Sequence, residues 1–211
     1  MKRVLVFCGS SPGLRPEYAT SAANLGRELA SRDLEVVYGG ASVGLMGALA
    51  DATLAAGGTV IGVIPSRLVQ HEIAHAGLSK LHVTETMHER KALMAELSDG
   101  VIALPGGSGT LDELFELFTW KQLGLHRKPI GLLNVSGYWR PLLDFLEHAV
   151  NERFLRAEYL EDLQVEESAA ALVDRLATHE HRSYDKWMDR PAADQAVPNT
   201  RSPASPNPGR M

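Results

Sequence analysis

The feature that most constrains the fold is the stretch at residues 101–116, which reads VIALPGGSGTLDELFE. The four apolar residues 101–104 predict a strand that is buried on both faces of a parallel sheet. Three glycines in residues 105–109 allow a tight turn and a close approach between backbone and ligand. Thr110 then opens a predicted helix, whose first N–H groups and positive dipole end form an anion site. The stretch therefore predicts a strand–turn–helix unit that binds phosphate.

The rest of the chain alternates apolar runs with helical patterns in the same way. Strands are predicted over residues 2–8, 35–38, 59–64, 81–84, 101–104, 130–133 and, at the sheet edge, 163–165. Helices are predicted from about residue 16 and over residues 45–56, 86–97, 110–123, 138–152 and 168–179. This alternation predicts an α/β fold with a single Rossmann-like, doubly wound parallel sheet and helices on both faces. Ligands of such sheets bind at the carboxyl ends of the strands.

The chain is predicted to hold one folded domain followed by a tail. Its 211 residues suffice for one sizeable core, and residues 1–182 are predicted to form a nucleotide-binding domain. Beyond about Tyr184, prolines recur among serine, asparagine and alanine. Residues 183–211 hold too little apolar matter to fold, so we expect a disordered tail.

Charge and cysteine content narrow the classes of protein. A formal net charge of −5 argues against a general nucleic-acid or membrane-surface binder, which would need a basic face. The single cysteine, Cys8, cannot form an internal disulfide, which is typical of a reducing compartment. We expect Cys8 to end a buried strand rather than to act as a nucleophile. No apolar run reaches membrane-spanning length, and the chain enters a strand without a signal peptide, so we expect a cytoplasmic protein.

Three glycine turns follow predicted strands, at Gly9, at Gly39-Gly40 and at Gly106-Gly107. None reads G-x-G-x-x-G, which disfavours NAD, and none ends in Gly-Lys-Ser/Thr, which disfavours nucleoside triphosphate hydrolysis. Any one of them could be ordinary strand-to-helix geometry. Three on one edge of a sheet predict a mononucleotide pocket that needs no cofactor.

Glu113 admits two hypotheses. Thr110-x-x-Glu113 fits a capping box, in which the glutamate closes back onto the first residue of the helix. Alternatively, Glu113 is a carboxylate held beside bound phosphate and kept ionised by the helix dipole. The pattern alone leaves both open.

Arg90 is informative because of its position on a helix. Met87, Arg90 and Met94 fall on one face of the helix predicted over residues 86–97. An arginine on an apolar face either meets an anion or extends to water. The phosphate-type turn nearby favours an anionic substrate. Lys91 points off that face, and a salt bridge to a surface acid is its simplest role.

The run His71-Glu72-Ile73-Ala74-His75 spells the zinc-protease signature H-E-x-x-H. Zinc chemistry needs both histidines one turn apart on a stable helix and a third ligand. This stretch has little helical support and no third ligand is evident. We therefore expect no metal, and a zinc hydrolase is the less favoured alternative.

Two motifs together resemble those of a known family. The segment PGGSGTLDE at residues 105–113 matches P-G-G-x-G-T-x-x-E, and residues 87–91, MHERK, resemble M-H-x-R-K. In this order and at this spacing they resemble the LONELY GUY (LOG) family of cytokinin-activating phosphoribohydrolases, once labelled lysine decarboxylases. The likeness runs from about Val4 to about residue 180.

The resemblance implies a reaction. LOG proteins hydrolyse the N-glycosidic bond of (N6-prenylated) adenosine 5′-monophosphate to a free adenine-type base and ribose 5-phosphate, and they form homodimers with sites near the interface. Breaking such a bond builds positive charge on the sugar. A fixed carboxylate stabilises that charge and orients or deprotonates water. The alternative is a non-enzymatic nucleotide or molybdenum-cofactor carrier of the same fold.

The resemblance also implies the residues of the site. Catalysis falls to Arg90 and Glu113. The expected substrate-binding residues are Glu72, Arg90, Lys91, Gly106, Gly107, Ser108, Gly109, Thr110 and Thr119, with Gly9 and Ser10 from the first glycine turn. Ala41 stands where relatives usually have a third glycine, and we expect it to tighten the nucleotide pocket.

Overall fold

A computed structural model describes residues 1–69 and 74–180 of the chain. The strands of its sheet are β1 (Arg3–Phe7), β2 (Glu35–Tyr38), β3 (Val60–Pro65), β4 (Lys80–Thr84), β5 (Gly100–Ala103), β6 (Ile130–Leu133) and β7 (Gln164–Glu166). The helices are α1 (Pro16–Ser31), α2 (Gly44–Ala55), α3 (Met87–Glu96), α4 (Ser108–Gln122), α5 (Arg140–Asn151), α6 (Ala157–Glu161) and α7 (Ala169–Ala177), with a 3₁₀ turn at Val135–Gly137.

The predicted strands and helices are confirmed, with ends that differ by at most two residues. Helix α6 was not predicted, because five residues are too few to show a helical period. The predicted domain end at residue 182 and the tail at 183–211 lie outside the described residues, as do His71 and Glu72. No helix in the described ranges is long and apolar enough to cross a membrane.

All neighbouring strands of the sheet are parallel, in the order β4-β3-β2-β1-β5-β6-β7. The chain starts in the middle of the sheet, winds outward to β4 and then returns to pair β5 with β1. The predicted doubly wound parallel sheet is therefore confirmed. The order reverses between β1 and β5, and ligands of such sheets bind in the crevice at that switch point.

Helices cover both faces of the sheet because the strand side chains alternate between them. Val4 and Val6 of β1 pack in one buried cluster with residues of α1, α2 and α7. Leu5 and Phe7 pack in a second cluster, with residues of α3, α4 and α5. Each strand of the centre is apolar at consecutive positions, as a sheet covered on both faces requires.

The turns after β1 and β5 are held side by side by backbone hydrogen bonds beyond the strand ends. Leu104 N donates to Phe7 O at 2.9 Å, and Gly9 N donates to Pro105 O at 3.0 Å. Leu45 N, at the start of α2, donates to Gly9 O at 3.0 Å. The first and third glycine turns and the beginning of α2 therefore form one edge of the molecule.

Candidate active site

The third glycine turn leads directly into α4, which begins at Ser108 rather than at Thr110. Gly107 is the N-cap, in an extended conformation and without a side-chain cap. Leu111 N makes an intrahelical bond to Gly107 O at 3.0 Å, so the N–H groups of residues 108–110 have no acceptor within the helix. These N–H groups and the helix dipole are the features on which the predicted anion site depends.

The capping-box hypothesis for Thr110 and Glu113 is wrong. Thr110 is the third residue of α4 and is buried, because Gly107 already supplies the extended N-cap conformation. A Cβ built on Gly106 would lie 2.1 Å from Thr110 Oγ1, so only glycine fits above this side chain. A true capping box stands at the start of α3, where Thr86 and Glu89 exchange hydrogen bonds of 3.1 and 3.3 Å.

Arg90 is buried, and its side chain contacts the backbone near the carboxyl ends of β2 and β3. Its Nε donates to Val63 O of β3 at 3.0 Å, and its Nη2 donates to Gly39 O, just after β2, at 3.0 Å. The guanidinium therefore does not extend to bulk water. Its remaining nitrogen, Nη1, lies 4.0 Å from Oε1 of Glu113.

Glu113 lies on the second turn of α4 and faces Arg90 across a cavity of about 220 Å³. Six of the predicted substrate-binding residues also line this cavity, among them Ser10 and Thr110, and the predicted Gly106 lines the neighbouring cavity instead. The remaining lining residues are Cys8, Gly9, Met46, Gly107, Ser108 and Gly109. The structure thus brings the two predicted catalytic side chains together with the first turn of α4.

Cys8 directly follows β1 and is buried, as predicted. Burial raises the pKa of its thiol well above the usual range, and the nearby Glu113 carboxylate raises it further. The thiol is therefore neutral at physiological pH. It forms part of the cavity wall and is not a nucleophile.

A second cavity, of about 260 Å³, adjoins the first and shares Gly9, Ser10 and Gly107 with it. Its walls include Tyr18 and Tyr138. Sequence reasoning missed Tyr138, because no motif marks it and its position between a 3₁₀ turn and α5 shows no period. The only signal is a pair of aromatic residues just before a helix.

Other predicted residues lie away from the first cavity or have other partners. Lys91 Nζ lies 3.1 Å from both Asp112 and Glu116, which is the salt bridge expected as its simplest role. Burial lowers the pKa of the Lys91 ammonium, but the two carboxylates outweigh it and raise the pKa overall. Thr119 is exposed further along α4 and lines neither cavity.

The second glycine turn carries two of the remaining predictions. Gly39 leaves the space that the Arg90 guanidinium fills, since a Cβ there would lie 2.4 Å from Nη2. Ala41 is fully buried, pairs with Ala74 in an isolated bridge and lines neither cavity described above.

His75, the described histidine of the H-E-x-x-H run, has partners at both ring nitrogens. Its Nε2 lies 2.8 Å from Asp51 Oδ1, and its Nδ1 accepts a hydrogen bond from Gly77 N at 3.1 Å. Within residues 1–69 and 74–180, no group of three or more His, Cys, Asp or Glu side chains is placed to hold a metal ion. A metal at His75 would have to displace one of these partners.

The fold and the site together define a class of protein. A doubly wound sheet has the start of α4 at its switch point, and a carboxylate and a guanidinium face each other in the adjoining cavity. This is the arrangement of an α/β enzyme that acts on a phosphorylated small molecule such as a mononucleotide.

The comparisons with known proteins identify the family. Residues 46–176 match the family described as "Possible lysine decarboxylase". A cytokinin riboside 5′-monophosphate phosphoribohydrolase of Rhodococcoides fascians is 56% identical over 155 residues, which cover 73% of this chain and 78% of that protein. The protein of the same name called LOG7 in Arabidopsis thaliana is 48% identical over 179 residues, 85% of this chain and 82% of that one. The chain belongs to the LONELY GUY (LOG) family, and the predicted resemblance is confirmed.

Solved structures support the fold. The molybdenum cofactor carrier protein of Chlamydomonas reinhardtii superimposes with a TM-score of 0.64 at 23% sequence identity, over 83% of this chain and 98% of that one. The molybdenum cofactor binding protein of Rippkaea orientalis superimposes with a TM-score of 0.65 at 23% identity, over 84% and 97%. At this identity the likeness shows a shared fold only.

Proposed function

We propose that this protein hydrolyses the N-glycosidic bond of adenosine 5′-monophosphate or its N6-prenylated forms, releasing the free base and ribose 5-phosphate. The observation that carries the proposal is the Arg90–Glu113 pair, which faces the cavity at the start of α4. The names of relatives at 42–56% identity support the same reaction. No metal or redox cofactor enters the proposal.

The start of α4 is the proposed phosphate site. Its first N–H groups lack intrahelical acceptors, and they would donate to the 5′-phosphate oxygens. Glu113 follows Gly109 by one helical turn, about 5–6 Å along the axis, which is close to the span of a ribose between its phosphate and C1′. Holding the phosphate thus places the sugar against the carboxylate.

Glu113 is the proposed catalytic carboxylate. As the bond between C1′ and the base nitrogen breaks, its electron pair leaves with the base and positive charge builds on the sugar. The carboxylate stabilises that charge and takes a proton from the water whose oxygen bonds to C1′. The departing base takes up a proton from solvent and Glu113 releases its proton to solvent, so that the net reaction consumes one water and restores the carboxylate.

Arg90 holds the carboxylate in place and adds fixed positive charge. Two of its nitrogens are bonded to the carbonyls of Val63 and Gly39, so the guanidinium is preorganised on the sheet. Nη1 lies 4.0 Å from Glu113 Oε1, where its charge would steady the carboxylate and attract the anionic substrate.

We also infer a homodimer in the cytosol. Support for the dimer comes from the family resemblance and from the exposed apolar side chains Leu81, Val83 and Met87 on and beside the edge strand β4. Lys91, Thr119 and Glu72 complete the proposed nucleotide site by resemblance. Analytical ultracentrifugation tests the dimer, since a monomer at micromolar concentration would contradict it.

The test of the catalytic assignment is Glu113→Gln, which keeps the size of the side chain but removes its charge. We expect turnover of AMP to fall by about two orders of magnitude or more, while the nucleotide still binds. Asp112→Asn is the matched control, because this neighbouring side chain is largely exposed and Lys91 keeps Glu116. Unchanged turnover in Glu113→Gln would contradict the assignment.

A further inference from the structure

The side chain of Tyr138 makes a direct bond to the phosphate-binding turn. Its hydroxyl donates to the carbonyl oxygen of Gly106 at 2.5 Å, the short end of the range for this type of bond. Tyr138 lines the second cavity and not the one that holds Arg90 and Glu113. The bond therefore reaches the turn from the second cavity, which adjoins the one proposed for the reaction.

The planarity of the peptide links this bond to the proposed site. In a trans peptide the C=O of one residue and the N–H of the next point in opposite directions, and the described residues contain no cis peptide. The Gly106 carbonyl points towards Tyr138. The Gly107 N–H accordingly points away from Tyr138, and Gly107 also lines the cavity that holds Arg90 and Glu113.

The peptide between Gly106 and Gly107 is closely packed on one side only. Gly106 lies against Thr110, where a Cβ would be 2.1 Å from Oγ1, whereas the Gly107 side is open. The peptide lies between two glycines, which rotate more freely than any other residue. A Cβ at Gly107 would meet nothing within 4 Å, so packing does not fix the peptide at that residue. A hydrogen bond to the carbonyl does fix its direction.

Tyr138 is itself held firmly enough to fix its neighbour. Its ring stands edge-on to the rings of Tyr18 and Trp139, with centroids 5.7 and 5.0 Å apart. Buried Trp139 donates from Nε1 to Ala103 O of β5 at 3.3 Å, and its backbone N donates to Asn134 Oδ1 at 2.8 Å. Contacts of the Tyr138 ring with Trp139, and of Trp139 with β5, thus hold the hydroxyl in position beside the turn that follows β5.

We propose that Tyr138 is a positioning residue, which through the Gly106–Gly107 peptide aims the Gly107 N–H at the 5′-phosphate of the substrate. The inference rests on the proposed function and adds a residue that neither motif contains. It also gives a function to one residue that lines the second cavity, since Tyr138 would orient the phosphate-binding turn from there.

The test is Tyr138→Phe, which keeps the ring and removes only the hydroxyl. We expect KM for AMP to rise about five- to tenfold while kcat changes by less than about twofold. The N–H groups of residues 108–110 would still hold the phosphate and place the sugar, so the loss of one contact weakens ground and transition state alike. The Kd of ribose 5-phosphate, measured by calorimetry, should rise by the same factor. The Kd of adenosine, which has no phosphate, should stay unchanged.

Tyr159→Phe is the matched control, since its hydroxyl also donates to a backbone carbonyl, that of Gln122 at 3.5 Å, and it lines neither cavity. It should leave all these constants unchanged. Unaltered KM and Kd values in Tyr138→Phe would overturn the inference, and so would an equal loss of adenosine binding. Failure of the proposed function would look different: the wild-type protein would bind AMP without converting it, and the ribose 5-phosphate comparison would still test Tyr138.

Discussion

Replacing Gly39 by alanine would test how closely Arg90 is fitted to the sheet. A Cβ at Gly39 would lie 2.4 Å from Arg90 Nη2 and 3.1 Å from the sulfur of Met46. The φ of Gly39 lies outside the left-handed region, so alanine meets no backbone strain there. The added methyl group therefore acts on the guanidinium, which two backbone carbonyls hold in place.

The size of the effect follows from these distances. Ordinary van der Waals contact begins at 3.4 Å, so Nη2 must move by about 1 Å to make room in a close-packed interior. A misplacement of this size costs about 10²-fold in kcat/KM, or about 2.7 kcal/mol of transition-state stabilisation. The free energy of unfolding should fall by only about 1–3 kcal/mol, the usual cost of one extra methyl group in a packed site.

A double-mutant cycle with Arg90→Lys separates this cause from others. Lysine has no Nη2, so Gly39→Ala should lower kcat/KM by less than about threefold in the Arg90→Lys background. Steady-state kinetics with AMP give the rates, and urea unfolding gives the stabilities. If the two substitutions are additive in kcat/KM, the clash between Gly39 and the guanidinium is not the cause and the reasoning is refuted.

Two further predictions concern groups buried beside or away from the cavity. Asp162 and Lys121 form a buried ion pair, and His179 Nε2 lies 3.1 Å from Asp162 Oδ1. Asp162→Ala would leave the Lys121 ammonium unpaired, so it should lower the free energy of unfolding by about 3–5 kcal/mol in a urea titration. A loss below about 1 kcal/mol would contradict this, because it would mean that the ammonium is hydrated in the variant. Cys8 should react with a thiol reagent far more slowly in the native protein than after denaturation, because its thiol is neutral and largely buried in the cavity wall. Rapid labelling of the native protein would contradict the buried position of Cys8.

Much of the fold was predictable because its signals are local. The apolar runs of β1, β2 and β6 and the helical period of α1 fix element type without reference to the rest of the chain. Alternation of strand and helix then leaves few topologies, all with the glycine turns at one edge. Arg90 and Glu113 could also be named in advance, because they stand in two motifs that resemble one family.

The rest of the site depends on contacts between elements that are distant in sequence. Helix α4 begins at Ser108 because Gly107 takes the N-cap conformation. The sequence pattern favoured Thr110 instead, because threonine is a common N-cap residue. The role of Gly39 becomes visible only when Arg90, 51 residues later, is seen to lie against it. The hydroxyl of Tyr138 bonds to Gly106, which lies 32 residues earlier in the chain. Helical and strand periods relate only residues of one element, so they cannot predict this contact.

The most direct test of the central claim is to identify the products formed from AMP and from its N6-isopentenyl form. The account predicts equal amounts of free base and ribose 5-phosphate, formed by the wild-type protein and nearly absent with Glu113→Gln. Recovery of intact nucleotide would indicate a carrier, and release of adenosine with inorganic phosphate would indicate cleavage at the phosphate. Either result would contradict the proposal that Glu113 acts at C1′ of the bound sugar.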